Sequence, residues 1–139
     1  MRAMGLDVGT RTIGVAVSDA LGLTAQGVEV IRRHDLEQDL ARLKELMDDY
    51  EVECLVVGMP RNMNGTYGPA AEEVRSFCQM LRDRLQIPVH EEDERLTTVA
   101  AERVLLEADL SRRRRRQVVD KVAASLILEN FLFRRANKD

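Results

Sequence analysis

The chain has 139 residues, 45% hydrophobic and 32% charged, with a net charge of −3; this suits one compact α/β domain and leaves little room for a second. No stretch approaches the roughly 20 apolar residues of a membrane span, and Asp7 and Gly9 interrupt any apolar leader segment, so a cytoplasmic protein without membrane contact is expected. Cys54 and Cys78 lie outside any CxxC or Cys/His cluster, which argues against a zinc site and for two small buried hydrophobes.

Residues 3–9 and 12–19 are predicted as a hairpin of two strands, with a tight turn at Gly9-Thr10. Residues 26–33 alternate around Val28 and Val30 and make a third strand, so the three form an antiparallel meander. Leu36, Leu40, Leu43, Leu46 and Met47 then show helical spacing, with Asp35 as the N-cap of a helix running to Tyr50. Cys54-Leu55-Val56-Val57-Gly58 is wholly apolar and predicts a central strand parallel to the first. A loop rich in Asn and Gly, 61–69, leads into a second helix over 69–85, where Pro69 suits the first turn. Residues 87–92 predict a last strand, placed at the sheet edge because Pro88 cannot donate to a central ladder. A helix capped by Thr97 or Thr98 runs to about Ala108, Arg112–Gln117 joins it to the next, and Val118–Arg134 is the final helix. The fold class that follows is α/β: a mixed five-stranded sheet, three strands antiparallel and the others parallel, flanked by helices.

Three acidic positions are expensive in such a fold. Asp7 stands in an otherwise apolar, Gly-punctuated strand, and a buried carboxylate needs a partner, a proton or a metal. Asp120 shares a helix face with Ala123, Ala124, Ile127 and Phe131, so it points to the core side or its margin; complementing the helix dipole is the plainer alternative. Asp93 and Glu94 end the last strand, where reactive groups of open α/β sheets gather, although a solvated strand end, with Asp93 paired to Arg95, is the more ordinary reading. Carboxylates converging from two strands and a helix suit Mg²⁺ or Mn²⁺, and two such ions can serve phosphodiester hydrolysis.

Charge is unevenly spread. Arg112, Arg113, Arg114, Arg115 and Arg116 form a run that either neutralises phosphates, with salt-dependent binding, or is a solvated loop between helices. With two Tyr, three Phe and no Trp, base stacking on exposed aromatics is not a strong expectation, and backbone contacts are.

Four segments carry a resemblance. Leu6-Asp7-Val8-Gly9-Thr10-Arg11-Thr12-Ile13-Gly14, Val56-Val57-Gly58-Met59-Pro60-Arg61-Asn62-Met63-Asn64-Gly65-Thr66, Asp93-Glu94-Arg95-Leu96-Thr97-Thr98 and Val119-Asp120-Lys121-Val122-Ala123-Ala124 resemble, in this order, the YqgF family, also called RuvX, of the RNase H-like superfamily. The resemblance implies a single RNase H-like nuclease domain over 1–139 and a metal-dependent hydrolase that processes the 5′ end of precursor 16S ribosomal RNA in ribosome biogenesis. It also implies a likeness to RuvC, hence a Holliday junction resolvase as the alternative. On this reading Asp7, Glu94 (or Asp93 beside it) and Asp120 are the catalytic and metal-holding acids. Arg11, Asn62, Asn64, Thr66, Arg95 and Arg112–Arg116 are the nucleic-acid contacts. The implied partners are structured precursor RNA or a ribosomal particle, or branched DNA, for a monomer or homodimer. Two further readings stand beside it: a non-catalytic RNA-binding module of the same fold, and an ATPase, since the first segment is also similar to the Asp-x-Gly-Thr phosphate hairpin of sugar kinases, Hsp70 and actin.

Overall fold

A computed structural model describes residues 1–60, 67–93 and 112–136, with side chains in the last segment from residue 119 onward. Its elements are β1 (Ala3–Val8), β2 (Thr12–Ser18), β3 (Ala25–Arg32), α1 (Leu36–Asp49), β4 (Cys54–Met59), α2 (Pro69–Leu85), β5 (Val89–Asp93) and a long final helix, α3 (Arg112–Ala136). One sheet holds all five strands in the order β3-β2-β1-β4-β5. β1 pairs antiparallel with β2 and parallel with β4, and β4 pairs parallel with β5. The meander, the central fourth strand and the edge position of the fifth are as the sequence indicates. Pro88 falls just outside β5, where its carbonyl accepts from the Leu55 N–H at 2.9 Å.

The pleat divides the side chains between two layers. Met4, Leu6, Ile13, Val15, Leu55, Val57 and Met59 face α1 and α2 and pack with Leu40, Leu43, Val74, Phe77 and Leu81. Ala3, Ala16, Cys54 and Val56 face α3 and pack with Ala124, Ile127, Leu128, Phe131 and Leu132. The face predicted for Asp120 is therefore the buried face of its helix.

The α3 side of the sheet is built from small residues, and that lets the helix come close. A Cβ on Gly5 would stand 2.9 Å from both the Ala124 carbonyl oxygen and the Leu128 Cβ, and one on Gly14 would collide with the Asp120 backbone carbonyl. Ala123 and Ala124 supply the matching small surface on the helix, both essentially without exposure. Close backbone approach is the reason for the glycines here, since larger side chains would lift α3 from the sheet.

Local chemistry places the other elements. Asp35 caps α1 by accepting from the Gln38 N–H at 2.9 Å. Arg42 of α1 grips Glu29 of β3 through Nε at 2.8 Å and Nη2 at 2.5 Å, which holds the Glu29 carboxyl below the usual carboxylate range. Cys54 and Cys78 are buried free thiols.

One expectation is corrected. The segment Arg112–Gln117 is not a connecting loop: α3 begins at Arg112 and the whole run is helical. Arginine is a good helix former, and a preformed helix over 118–136 propagates through it at little cost per residue. The helix expected from Thr97 or Thr98 to Ala108 lies outside the described residues.

Candidate active site

Asp7 stands near the carboxyl end of β1 on the α3 face, because it alternates with Ala3 and Gly5. Its partner across the ladder is Gly14 of β2. Asp120 lies directly over that glycine, its Cβ 3.1 Å from the position a Gly14 Cβ would take. A residue on the first strand and one on the last helix, 113 positions apart in the chain, thus meet across a single glycine. Both are half-buried.

The helix start revises the account of Asp120. It is the ninth residue of α3, in the third turn, beyond the reach of dipole stabilisation at an N-terminus. Its carboxylate is instead engaged from the sheet: the Thr12 hydroxyl donates a hydrogen bond to Asp120 Oδ2. Thr12, Gly14 and Ala16 share one face of β2, so the strand that makes room for the helix also fixes the acid's orientation. Nothing local in the sequence marks Thr12; its only signal is that it shares parity with Gly14.

Of the remaining acids, Asp93 ends β5 in register with Met59, and Met59 packs in the α1/α2 layer. The pleat therefore gives Asp93 the face opposite to Asp7. Glu94 lies outside the described residues. Among the described residues no group of three or more His, Cys, Asp or Glu side chains is gathered to hold a metal ion; Asp7 and Asp120 are brought together as a pair.

Glu92, the neighbour of Asp93, is a buried acid that the sequence did not single out. It faces α3, where Arg134 of the helix's last turns pairs with it. Burial raises its carboxyl above the ordinary value of 4.5, and Arg134 opposes the shift. His90 lies on the same strand with its ring centroid 5.0 Å from that of Phe131, eleven residues beyond Asp120, or about 16 Å along a helix rising 1.5 Å per residue. Burial, then Arg135 and Arg82, lowers the His90 pKa and disfavours its cationic form. This end of α3 is thus a separate cluster from the Asp7–Asp120 pair.

The turn beyond Asp7 is exposed at Gly9, Thr10 and Arg11, and Arg11 stands there as a solvent-facing cation beside the acids' end of the sheet. The turn is tied down from behind. Arg33 donates from Nη1 to the Gly9 carbonyl at 2.8 Å and from Nε to Asp39 at 3.2 Å, and Asp39 also accepts from the His34 N–H at 3.2 Å. Asp39 is only 3% exposed. Asn62, Asn64, Thr66 and Arg95 lie outside the described residues, as do the side chains of Arg112–Arg116, whose backbone is helical.

Comparison with known proteins agrees with this architecture. The family model RuvX, described as a Holliday junction resolvase, matches residues 1–134. A protein of Moorella thermoacetica named "Putative pre-16S rRNA nuclease" is 67% identical over 134 residues, covering 96% of each chain. One of the same name from Symbiobacterium thermophilum is 64% identical over 136 residues, covering 98% of this chain and 94% of that one. Among solved structures, Thermus thermophilus RuvC in complex with a Holliday junction substrate superposes over 99% of this chain and 96% of its own, with TM-score 0.57 and 15% identity. The fowlpox virus resolvase bound to Holliday junction DNA superposes over 99% and 100%, with TM-score 0.62 and 11% identity. At such identities these two likenesses speak for the fold.

Proposed function

Since the chain belongs to the RuvX family, we propose that it is a divalent-metal-dependent nuclease that hydrolyses phosphodiesters of precursor 16S ribosomal RNA, as a single RNase H-like domain in the cytoplasm. The observation that carries the proposal is the placement of Asp7 and Asp120 on either side of Gly14 at one end of the sheet. Two carboxylates brought together from distant parts of a chain repel each other and repel a phosphate backbone unless positive charge intervenes.

The donor set fits Mg²⁺ or Mn²⁺, because carboxylate oxygens are the ligands such hard ions prefer. Asp7 and Asp120 would hold the metal, with Glu94 as the third acid in preference to Asp93, whose pleat position shares the face of Met59. When bound, a pair of such ions supplies the charge that activates a water and stabilises the leaving oxygen of a phosphodiester. The protein's own contribution is orientation. Thr12 fixes the Asp120 carboxylate by its hydroxyl, and the Gly14 contact sets the height of α3 over Asp7. Arg33 braces the turn that carries Arg11 toward solvent, where its guanidinium suits a substrate phosphate. The family resemblance adds Arg95, Asn62, Asn64 and Thr66 as further nucleic-acid contacts, and the positive charge of Arg112–Arg116 suits the phosphates of a longer duplex or a ribosomal particle.

The test is cleavage of a precursor 16S 5′-leader RNA by the purified chain. Activity is expected with Mg²⁺ or Mn²⁺, none in chelator, and a fall of orders of magnitude in Asp7→Asn and Asp120→Asn with folding retained; undiminished cutting by both variants removes the mechanism. A second reading, cleavage of branched DNA, draws on the family description and the two junction-bound neighbours. It requires a symmetric dimer with paired sites, so a strictly monomeric protein that cuts the RNA but no four-way junction excludes it.

A further inference from the structure

A groove of about 330 Å³ opens beyond the carboxyl ends of β1 and β4, lined by residues that include Val8, Pro60, Val74 and Phe77, with Arg33 and Glu73 as the charged groups among the described residues. This is the topological switch point of the sheet: β1 leads to β2 on one side and β4 leads through α2 to β5 on the other. Ligands of open α/β sheets collect at such crevices. Val8 immediately follows Asp7, so an occupant of the groove sits one residue from the acids, on the opposite side of β1.

Charge and shape narrow the occupant. Arg33 is held rigidly, with Nε on the buried Asp39, Nη1 on the Gly9 carbonyl and its guanidinium carbon 5.3 Å from the Phe77 ring centre. Its Nε and Nη1 are thus engaged, and among the described residues no acceptor takes Nη2. Glu73 is an exposed carboxylate with no ion pair among the described residues. Among the described lining groups Glu73 is a carboxylate and Asp39 already offsets the Arg33 charge, so this part of the lining favours a neutral occupant over an anion. A neutral, flat group with both acceptors and donors at its edge meets all of these conditions.

We propose that this groove is a subsite for one unstacked nucleobase of the substrate strand next to the cleaved phosphate, and that it favours guanine. Val8, Val74, Phe77 and Pro60 cover the apolar faces of the base. Arg33 Nη2 donates to a base acceptor, and Glu73 accepts from the N1–H and exocyclic amine of guanine. Adenine offers a carboxylate one donor group fewer at that edge, and uracil lacks the amine. This inference rests on the nuclease reading for the strand's path, and the base contact can be measured without turnover.

The experiment titrates the full-length protein with GMP, AMP, UMP and ribose 5-phosphate while following the methyl resonances of Val8 and Val74 by NMR. The expected result is saturable shifts at both methyls, tightest for GMP and absent for ribose 5-phosphate. The exposed substitution Glu73→Gln should weaken GMP binding by about tenfold, in the range of a lost bidentate base contact, and leave AMP binding unchanged. Equal shifts with ribose 5-phosphate, no shift at either methyl, or GMP binding indifferent to Glu73→Gln would each overturn the subsite. Cleavage is scored on the same protein: cutting without a groove signal defeats the subsite alone, and a groove signal without cutting supports it while the nuclease reading fails.

Discussion

Asp120 rests on Gly14 so closely that its Cβ lies 3.1 Å from where a side chain on that glycine would begin. Gly14 is in turn the ladder partner of Asp7. The glycine is therefore the spacer that sets how far apart the two acids are.

Replacing it tests packing and chemistry together. Gly14→Ala places a methyl into the Asp120 backbone, and the rigid atoms on both sides leave nowhere to move. A loss of about 1–3 kcal/mol in stability, the usual cost of overpacking, should appear as a lower urea midpoint, with a disproportionate loss of cleavage. Gly9→Ala, whose nearest contact is the Thr12 carbonyl at 3.2 Å, should cost less on both counts.

Thr12→Val keeps the shape of the side chain and removes the hydroxyl that orients Asp120. The expected stability change is small, about 1 kcal/mol for one hydrogen bond. Metal affinity should fall about 10- to 100-fold, as for other lost outer-shell contacts. Metal titration of the variant checks this; unchanged affinity would show that Asp120 needs no help from β2.

Glu92 gives a pH signature. Its folded pKa is raised above the ordinary 4.5 by burial, so the native state binds the proton more tightly than the unfolded chain. Its ionisation therefore costs stability progressively as pH rises from about 4.5 through the folded value. Glu92→Gln should be close to neutral at acid pH and gain relative stability as pH rises through that window. Arg134→Ala should do the reverse, since it strands the carboxylate: a cost of about 1–3 kcal/mol at pH 7 that shrinks once Glu92 is protonated. Urea midpoints across pH 4–8 measure both.

The two thiols should be silent in the native protein. Burial pushes Cys78 up to about 11 and raises Cys54 as well, leaving about a thousandth of Cys78 as thiolate at pH 8, and the thiolate is the reactive form. Titration with a thiol reagent should find no fast-reacting group in buffer and two in denaturant.

Much of this architecture was legible in the chain. Asp35 read as a cap because Asx side chains cap helices, and Cys54–Gly58 read as a buried strand because an unbroken apolar run has no solvent face. The face of Asp120 followed from helical arithmetic. Only the backbone of Arg112–Gln117 departs from the sequence reading: charge patterning argues for a loop between helices, while helix propensity, the stronger local term, continues α3 through it. Thr12 and Arg33 were missed for a different reason. Their roles depend on partners 108 and 24 positions away, Asp120 and the Gly9 carbonyl, and no local pattern encodes which distant group a strand residue will meet. The small-residue floor of Gly5 and Gly14 was visible as glycines in strands, but only the docked helix shows what they make room for.

The most direct measurement is Mn²⁺ binding followed by electron paramagnetic resonance on the wild-type chain, Asp7→Asn and Asp120→Asn, each confirmed as folded. If the two side chains share their ions across Gly14, either single change should abolish the high-affinity bound signal, and the double variant should be no worse. Full Mn²⁺ affinity in both single variants would contradict the account.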